Sequence, residues 1–238
     1  MLRSIVVYNN PWTLLAWRRF YRQILVRGQL AFDVGAHVGT RARAMHAVGA
    51  RVIACEPQEL FARYLRATLP RDITVVHAAV GKEETTASMA VSSSHPTVSS
   101  LKPDFVVGAS SAPGFGHVKW DTRESVTVTT LDRLIETHGV PSYVKIDVEG
   151  FELDVLGGLS QAIELISVEF LPGFPDLTLQ VIDRLMDFGP YRFNPVMGET
   201  ARFLWPQWRD GPAARAWLES LPSDSSSGDL FARLRHDS

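Results

Sequence analysis

The chain has 238 residues, 45% apolar and 21% charged, which is the makeup of one globular domain with additions and excludes a disordered chain. A formal net charge of −2 gives no ground for a nucleic-acid partner or an anionic membrane. A single cysteine, Cys55, excludes an internal disulfide, and a reducing cytoplasm fits that usage.

The opening 25 residues lack the unbroken apolar core and cleavage site of a signal peptide, and no stretch is apolar enough for a transmembrane segment. Asn10 followed by Pro11 reads as a helix cap and first turn, with Trp12, Leu15, Ala16, Arg19, Phe20 and Ile24 following at helical spacing. The period predicts a helix packed on the domain; a homodimer face or a membrane-surface contact through Trp12, Trp17 and the arginines is the alternative.

From residue 30 strands and helices alternate. "LAFDV" is an apolar run ending at a glycine turn, "TRARAMHAV" a helix stopped by Gly49, and "RVIACE" a second strand. "QELFARYLRATL" is helical and "ITVVHAAV" is a third strand. Residues 81–124 break the rhythm with Ser, Thr, Gly and Pro, which predicts loops, a short hairpin through "TASMAV", and a lid or acceptor-binding insertion.

The alternation resumes with "SVTVTTLDRLIETH", a strand running into a helix capped near Thr130. "YVKIDVEG", "FELDVLGGL", "AIELISVEFL" and "DLTLQVIDRLMDFG" follow as strand, helix, strand and helix. "YRFNPV" and "ARFLWP" read as a terminal hairpin, and the tail as a short helix, a serine linker and "DLFARLRH". Such alternation implies a parallel sheet with helices on both faces, binding ligands beyond the carboxyl ends of its strands.

Three acids, Asp33, Glu56 and Asp147, fall at those ends. Gly35 and Gly39 allow a tight strand-to-helix turn, but His37 stands where a dinucleotide loop needs its second glycine. Asp33 beside the turn repels a pyrophosphate and welcomes an ammonium group. Glu56 ends the next strand, where an acid commonly grips a ribose diol. A ligand with a ribose, an ammonium and no phosphate satisfies both, and S-adenosylmethionine is such a ligand. Ala78 and Ala79 leave room for an adenine ring, while His77 suits a structural hydrogen bond.

In "VKIDVEGFE", alternation puts Lys145, Asp147 and Glu149 on one side while the strand lasts. Glu169 ends the following strand at the same rim. Structural ion pairs and helix capping compete with function for these acids. Together Asp147, Glu149 and Glu169 can bind a hard divalent cation, although their spacing has no metal-specific signature, and any one of them can take the proton from an acceptor hydroxyl. The seven histidines show no metal-ligand spacing; His37 and His95 lie in loops that can reach the rim.

These blocks resemble the FkbM-type methyltransferases from about Ala31 to Phe170, through "FDVGAHVG", "VIACEP", "HAAVG", "VSSL", "VTVTTLD", "VKIDVEGFELDVLGG" and "ISVEF". The resemblance implies an α/β fold: a Rossmann-like class I methyltransferase sheet of seven strands, mostly parallel with a C-terminal antiparallel hairpin. It implies a helical extension over 1–28, a methyltransferase domain over 29–206 with an inserted loop region at 82–124, and a helical tail over 207–238. It assigns S-adenosylmethionine to Asp33, Gly35, Ala36, His37, Gly39, Glu56, Pro57 and Ala79, with Ser99 and Ser100 closing over it. Asp147 and Glu149 fall near the methyl group or the acceptor, and Thr130 and Asp132 read as structural. The implied acceptor is a hydroxyl on a sugar, glycan, lipid or secondary metabolite. The competing readings are a Rossmann-type NAD-dependent oxidoreductase, against which His37 argues, and a non-catalytic interaction domain acting through its Trp-rich helices.

Overall fold

The computed structural model describes residues 10–92, 100–101 and 120–235. Helix α1 (Pro11–Tyr21) starts where Asn10 accepts the Trp12 backbone N–H at 2.9 Å. The elements β1 (Leu30–Val34), α2 (Thr40–His46), β2 (Arg51–Cys55), α3 (Glu59–Thr68) and β3 (Thr74–Val76) follow. Then come β4 (Ala79–Val80), β5 (Thr85–Val91), β6 (Thr122–Thr129), α4 (Leu131–His138), β7 (Tyr143–Ile146) and α5 (Glu152–Gly157). The chain continues through β8 (Leu165–Phe170), α6 (Pro175–Phe188), β9 (Tyr191–Met197), α7 (Gly211–Glu219) and β10 (Gly228–Leu234).

Seven strands form the central sheet in the order β3-β2-β1-β7-β8-β10-β9. Five are parallel, and β10 runs antiparallel to both β8 and β9. The antiparallel pair expected at the C-terminal end is present, but its partner is corrected. Tyr191–Met197 pairs with Gly228–Leu234, while the 201–206 segment contributes only an isolated bridge from Phe203 to Val196. The tail is therefore not simply helical: it inserts a strand into the sheet. Leu230, Phe231 and Ala232 are buried there, so a segment short enough to pass for a surface helix is stabilised by burial on both faces.

Two further expectations change. The run "ITVVHAAV" is split at His77, and Ala79–Val80 joins β5 and β6 in a separate three-stranded sheet ordered β4-β6-β5. The strand in "YVKIDVEG" ends at Ile146; Glu149 turns left-handed at φ +51°, so the expected alternation stops before it.

Alternation sorts the sheet's two faces. Phe32, Val34, Val144 and Ile146 face the core beneath α4, α5, α6 and α7. Ala31 and Tyr143 face the opposite core, which holds Trp17, Phe20 and Tyr21 of α1 and Ala42 and Met45 of α2. Asp33 and Lys145 share that second side, and their Cα positions are paired across β1 and β7. Helix α1 is anchored by aromatic contacts: Phe20 meets Phe231 at 5.2 Å between ring centroids, and Tyr21 meets Tyr143 at 5.8 Å. Among the described residues no helix is long and apolar enough to cross a membrane.

Candidate active site

The connection order reverses at β1, whose neighbours β2 and β7 continue in opposite directions, and the cleft opens there beyond the strand ends. Asp147 N donates to the Val34 carbonyl at 3.0 Å, joining the loops that follow β7 and β1. Gly35 permits this approach. Its φ is +82°, and a Cβ on it would lie 1.8 Å from the Asp147 carbonyl oxygen. Gly35→Ala is thus expected to destabilise the fold by about 3 kcal/mol or more, because backbone must move as well as strain; urea unfolding measures it.

A cavity of about 340 Å³ occupies the cleft, within the range of small-molecule sites. Gly35, Ala36, His37, Glu56, Pro57, Ala79, Asp147, Glu149 and Glu169 all line it, so the fold gathers nine of the sequence-picked residues. Asp33 does not line it: the side chain is fully buried behind the wall, on the α1 side beside Lys145. Burial raises its pKa, with Lys145 pulling the other way. Gly39 also stands back, as the left-handed N-cap of α2, where a Cβ would meet Leu65 and Leu69 within 3 Å. The Ser100 hydroxyl donates to the Glu149 carbonyl at 2.8 Å, so it ties down the Glu149 loop instead of facing the cavity. Ser99 and His95, like the rest of 93–99 and 102–119, lie outside the described residues.

Glu56 is 3% exposed, and both its oxygens already accept backbone N–H groups: Oε2 from His37 at 2.8 Å and Oε1 from Gln58 at 2.9 Å. The loop position that a dinucleotide motif gives to glycine is left-handed here too, but His37 holds it at φ +47°. Its backbone N–H is thereby spent on Glu56. Burial lifts the Glu56 pKa to about 7 against the two N–H bonds, and burial lowers that of His37 to about 4, so the imidazole is neutral near pH 7. A carboxylate oxygen has more than one acceptor direction. Glu56 can therefore receive a ribose diol while keeping both N–H bonds.

At the other end Lys145 Nζ is 2.6 Å from Asp147 Oδ2, with side chains 3% and 37% exposed. Burial works to raise the Asp147 pKa, but Lys145 and Arg41 overcome it and hold the group below the ordinary carboxylate value. Glu149 and Glu169 move the other way: burial and the Asp147 charge push both well above their usual range. One carboxylate oxygen of each of the three lies within 4.8 Å of the others. That set can share protons or hold a hard cation, and Lys145 already supplies positive charge at Asp147.

Sequence reasoning missed Arg41, Glu199 and Asp229, which also line the cavity. Arg41 contacts Asp229 and Glu199 at 3.2 Å each, and its guanidinium lies 3.1 Å over the Trp17 ring centroid. Trp17 Nε1 donates to Glu199 at 2.7 Å. An arginine in the first turn of α2 was the available signal, because the helix dipole disfavours a cation there. Thr130 and Asp132 are structural as expected: Thr130 caps α4 by accepting the Arg133 N–H, and Asp132 accepts that of Ser160. His77 is held by the Pro57 carbonyl at 3.0 Å and Glu59 at 3.3 Å.

The family model described as the methyltransferase FkbM domain matches residues 33–219. A hexuronic acid methyltransferase, AglP, from Haloferax volcanii is 32% identical over 145 residues, which is 59% of this chain and 53% of that protein. The chain thus spans about half the length of this curated relative. Among solved structures, a TehB-like SAM-dependent methyltransferase from Corynebacterium glutamicum is 11% identical, with TM-score 0.49, 98% of this chain and 94% of that one covered. A SAM-dependent O-methyltransferase from Thermotoga maritima is 11% identical, with TM-score 0.44, 94% and 66% covered. With 33–219 inside the family's boundaries, the chain belongs to the FkbM family of methyltransferases and uses S-adenosylmethionine.

Proposed function

We propose that this chain methylates a hydroxyl oxygen of a sugar, free or within a glycan or glycolipid, with Asp147 as the general base. The observation that carries the reading is the split among three neighbouring acids. Asp147 is partly open to the cavity and held below the ordinary carboxylate range by Lys145, whereas burial and the Asp147 charge push Glu149 and Glu169 beside it well above that range. Neighbouring groups pushed apart in this way suit acid and base roles.

The cofactor supplies an electrophilic methyl on a sulfonium. The chain's own part is to hold the ribose at Glu56, seat the adenine against Ala79, and align the acceptor oxygen. Asp147 takes the hydroxyl proton as that oxygen attacks, with Glu169 and Glu149 lining the cavity beside it.

The name of the Haloferax relative points to a sugar acid. The charge of this cavity favours a hydroxyl over a carboxylate acceptor. Arg41 and Lys145, the cations lining it among the described residues, are both engaged by acids, and Glu56, Asp147, Glu199 and Asp229 add negative charge. A second carboxylate entering there meets repulsion and no uncommitted cation among the described residues. A reducing cytoplasm suits the buried Cys55 thiol.

Incubation with methyl-labelled cofactor and paired hexose and hexuronate glycosides tests the reading. The expected label is a base-stable methyl ether on the hexose. A base-labile methyl ester on the hexuronate would overturn the hydroxyl assignment while keeping methyl transfer.

A further inference from the structure

The chain's overall charge conceals a local excess. Residues 10–32 carry four arginines, Arg18, Arg19, Arg22 and Arg27, and no acid; the first acid in the sequence is Asp33. On α1 and its C-cap, Trp12, Leu15, Arg19 and Arg22 are exposed at spacings of three and four residues, so they share one helical face, and Val26 is exposed in the segment that follows the helix. Trp12 is 77% exposed and Val26 68%, unusual for large apolar side chains beside a filled core. Among the described residues no ion pair engages Arg19, Arg22 or Arg27. The inner face of the helix is fixed: Trp17, Phe20 and Tyr21 are buried, so the outward Trp12 is not a packing failure.

We propose that the outer face of α1 docks on an anionic lipid surface. Tryptophan with aliphatic neighbours suits the headgroup boundary, and arginines beside them complement the surface charge. A second copy is the poorer occupant, because a two-fold contact through this face sets one arginine stripe against the other. A nucleic-acid backbone satisfies the arginines but leaves Trp12, Leu15 and Val26 unused.

The docking face is one side-chain layer from the cavity. Trp17, on the buried side of the same helix, donates to Glu199 and stacks under Arg41, and both of those line the cavity. An acceptor carried on a lipid would therefore meet the enzyme near its site; that consequence rests on the proposed acceptor, whereas the docking itself does not.

The test is co-sedimentation of the full chain with vesicles of phosphatidylcholine alone and of phosphatidylcholine mixed with phosphatidylglycerol. Binding is expected to the mixed vesicles only, and to weaken at high salt. Each arginine near such a surface raises partition roughly fivefold. The Arg19→Glu/Arg22→Glu variant is therefore expected to lose binding by well over tenfold, and Trp12→Ser/Leu15→Ser also to fall. Both variants should bind S-adenosylhomocysteine as the parent chain does, which shows that they fold. Equal or absent sedimentation with the two vesicle types would overturn the inference while leaving methyl transfer untouched. So would tighter binding to a DNA duplex than to mixed vesicles, or a dimer in light scattering that the Trp12→Ser/Leu15→Ser variant dissolves.

Discussion

Turnover of the Asp147→Asn enzyme is expected to fall by about 10²–10⁴-fold, the usual contribution of a positioned general base. Asn keeps the shape and can still accept a hydrogen bond, but it cannot take a proton. Glu169→Gln is expected to stay within about tenfold of the parent, because burial and the Asp147 charge disfavour a charge on Glu169 and the neutral Gln keeps its shape and can donate a hydrogen bond. Single-turnover rates with saturating cofactor separate the two. Near-normal turnover of Asp147→Asn, or a larger loss in Glu169→Gln, would exchange their roles. The asparagine variant also leaves Lys145 buried without its nearest counter-ion. Since Asp147 is 37% exposed, and Asp33 and Asp229 still act on Lys145, the expected loss of stability is only about 1–2 kcal/mol. Its melting curve distinguishes that modest shift from unfolding.

Glu56→Gln is expected to weaken S-adenosylhomocysteine binding about 10–100-fold at pH 8, the worth of hydrogen bonds to a charged acceptor. The parent chain should bind more tightly as pH rises from 6 to 8. With Glu56 at about 7, binding below that pH must first expel its proton. Calorimetry in buffers of different ionisation enthalpy measures the release. The stability of the free protein has the opposite sign. The folded pKa is raised, so Glu56 costs nothing below about pH 4.5, and its penalty grows to about 3 kcal/mol above pH 7, as the buried carboxylate ionises. Glu56→Gln removes that ionisation but turns an amide NH2 against one of the two backbone N–H groups, so the ligand-free variant is expected to lose less stability than the parent between pH 5 and 8, whatever its absolute melting point. Glu152, also raised to about 7 by burial, leaves a residual pH dependence in the variant. A variant that bound the ligand normally would remove Glu56 from the cofactor site.

The alternation of apolar runs with helical periods located the parallel strands and their carboxyl ends, and with them Glu56 and Asp147. These features are local: an apolar strand followed by a glycine turn can be read within a dozen residues. The same reading placed Asp33 at the rim, but a strand's two-residue period decides which face a side chain takes. Asp33 is fully buried on the α1 side, where Trp17, Phe20 and Tyr21 fill the core. Ser100 was placed by tertiary structure in the same way, since its hydroxyl donates to the carbonyl of a loop 49 residues away.

What the sequence determined by itself was the class of sheet, the glycine turn at Gly35, the acid at Glu56 and the acid-rich end of "VKIDVEG". Each depends on residue type and near neighbours. Only the tertiary structure decided that the tail's Gly228–Leu234 enters the sheet, bringing Asp229 beside Glu169 and Arg41. It also set the direction in which each of three similar carboxyls is shifted, Asp147 down and Glu149 and Glu169 up. Strand insertion is governed by burial against partners far along the chain, and a carboxyl's proton by the charges and solvent around it; neither is written in the local sequence.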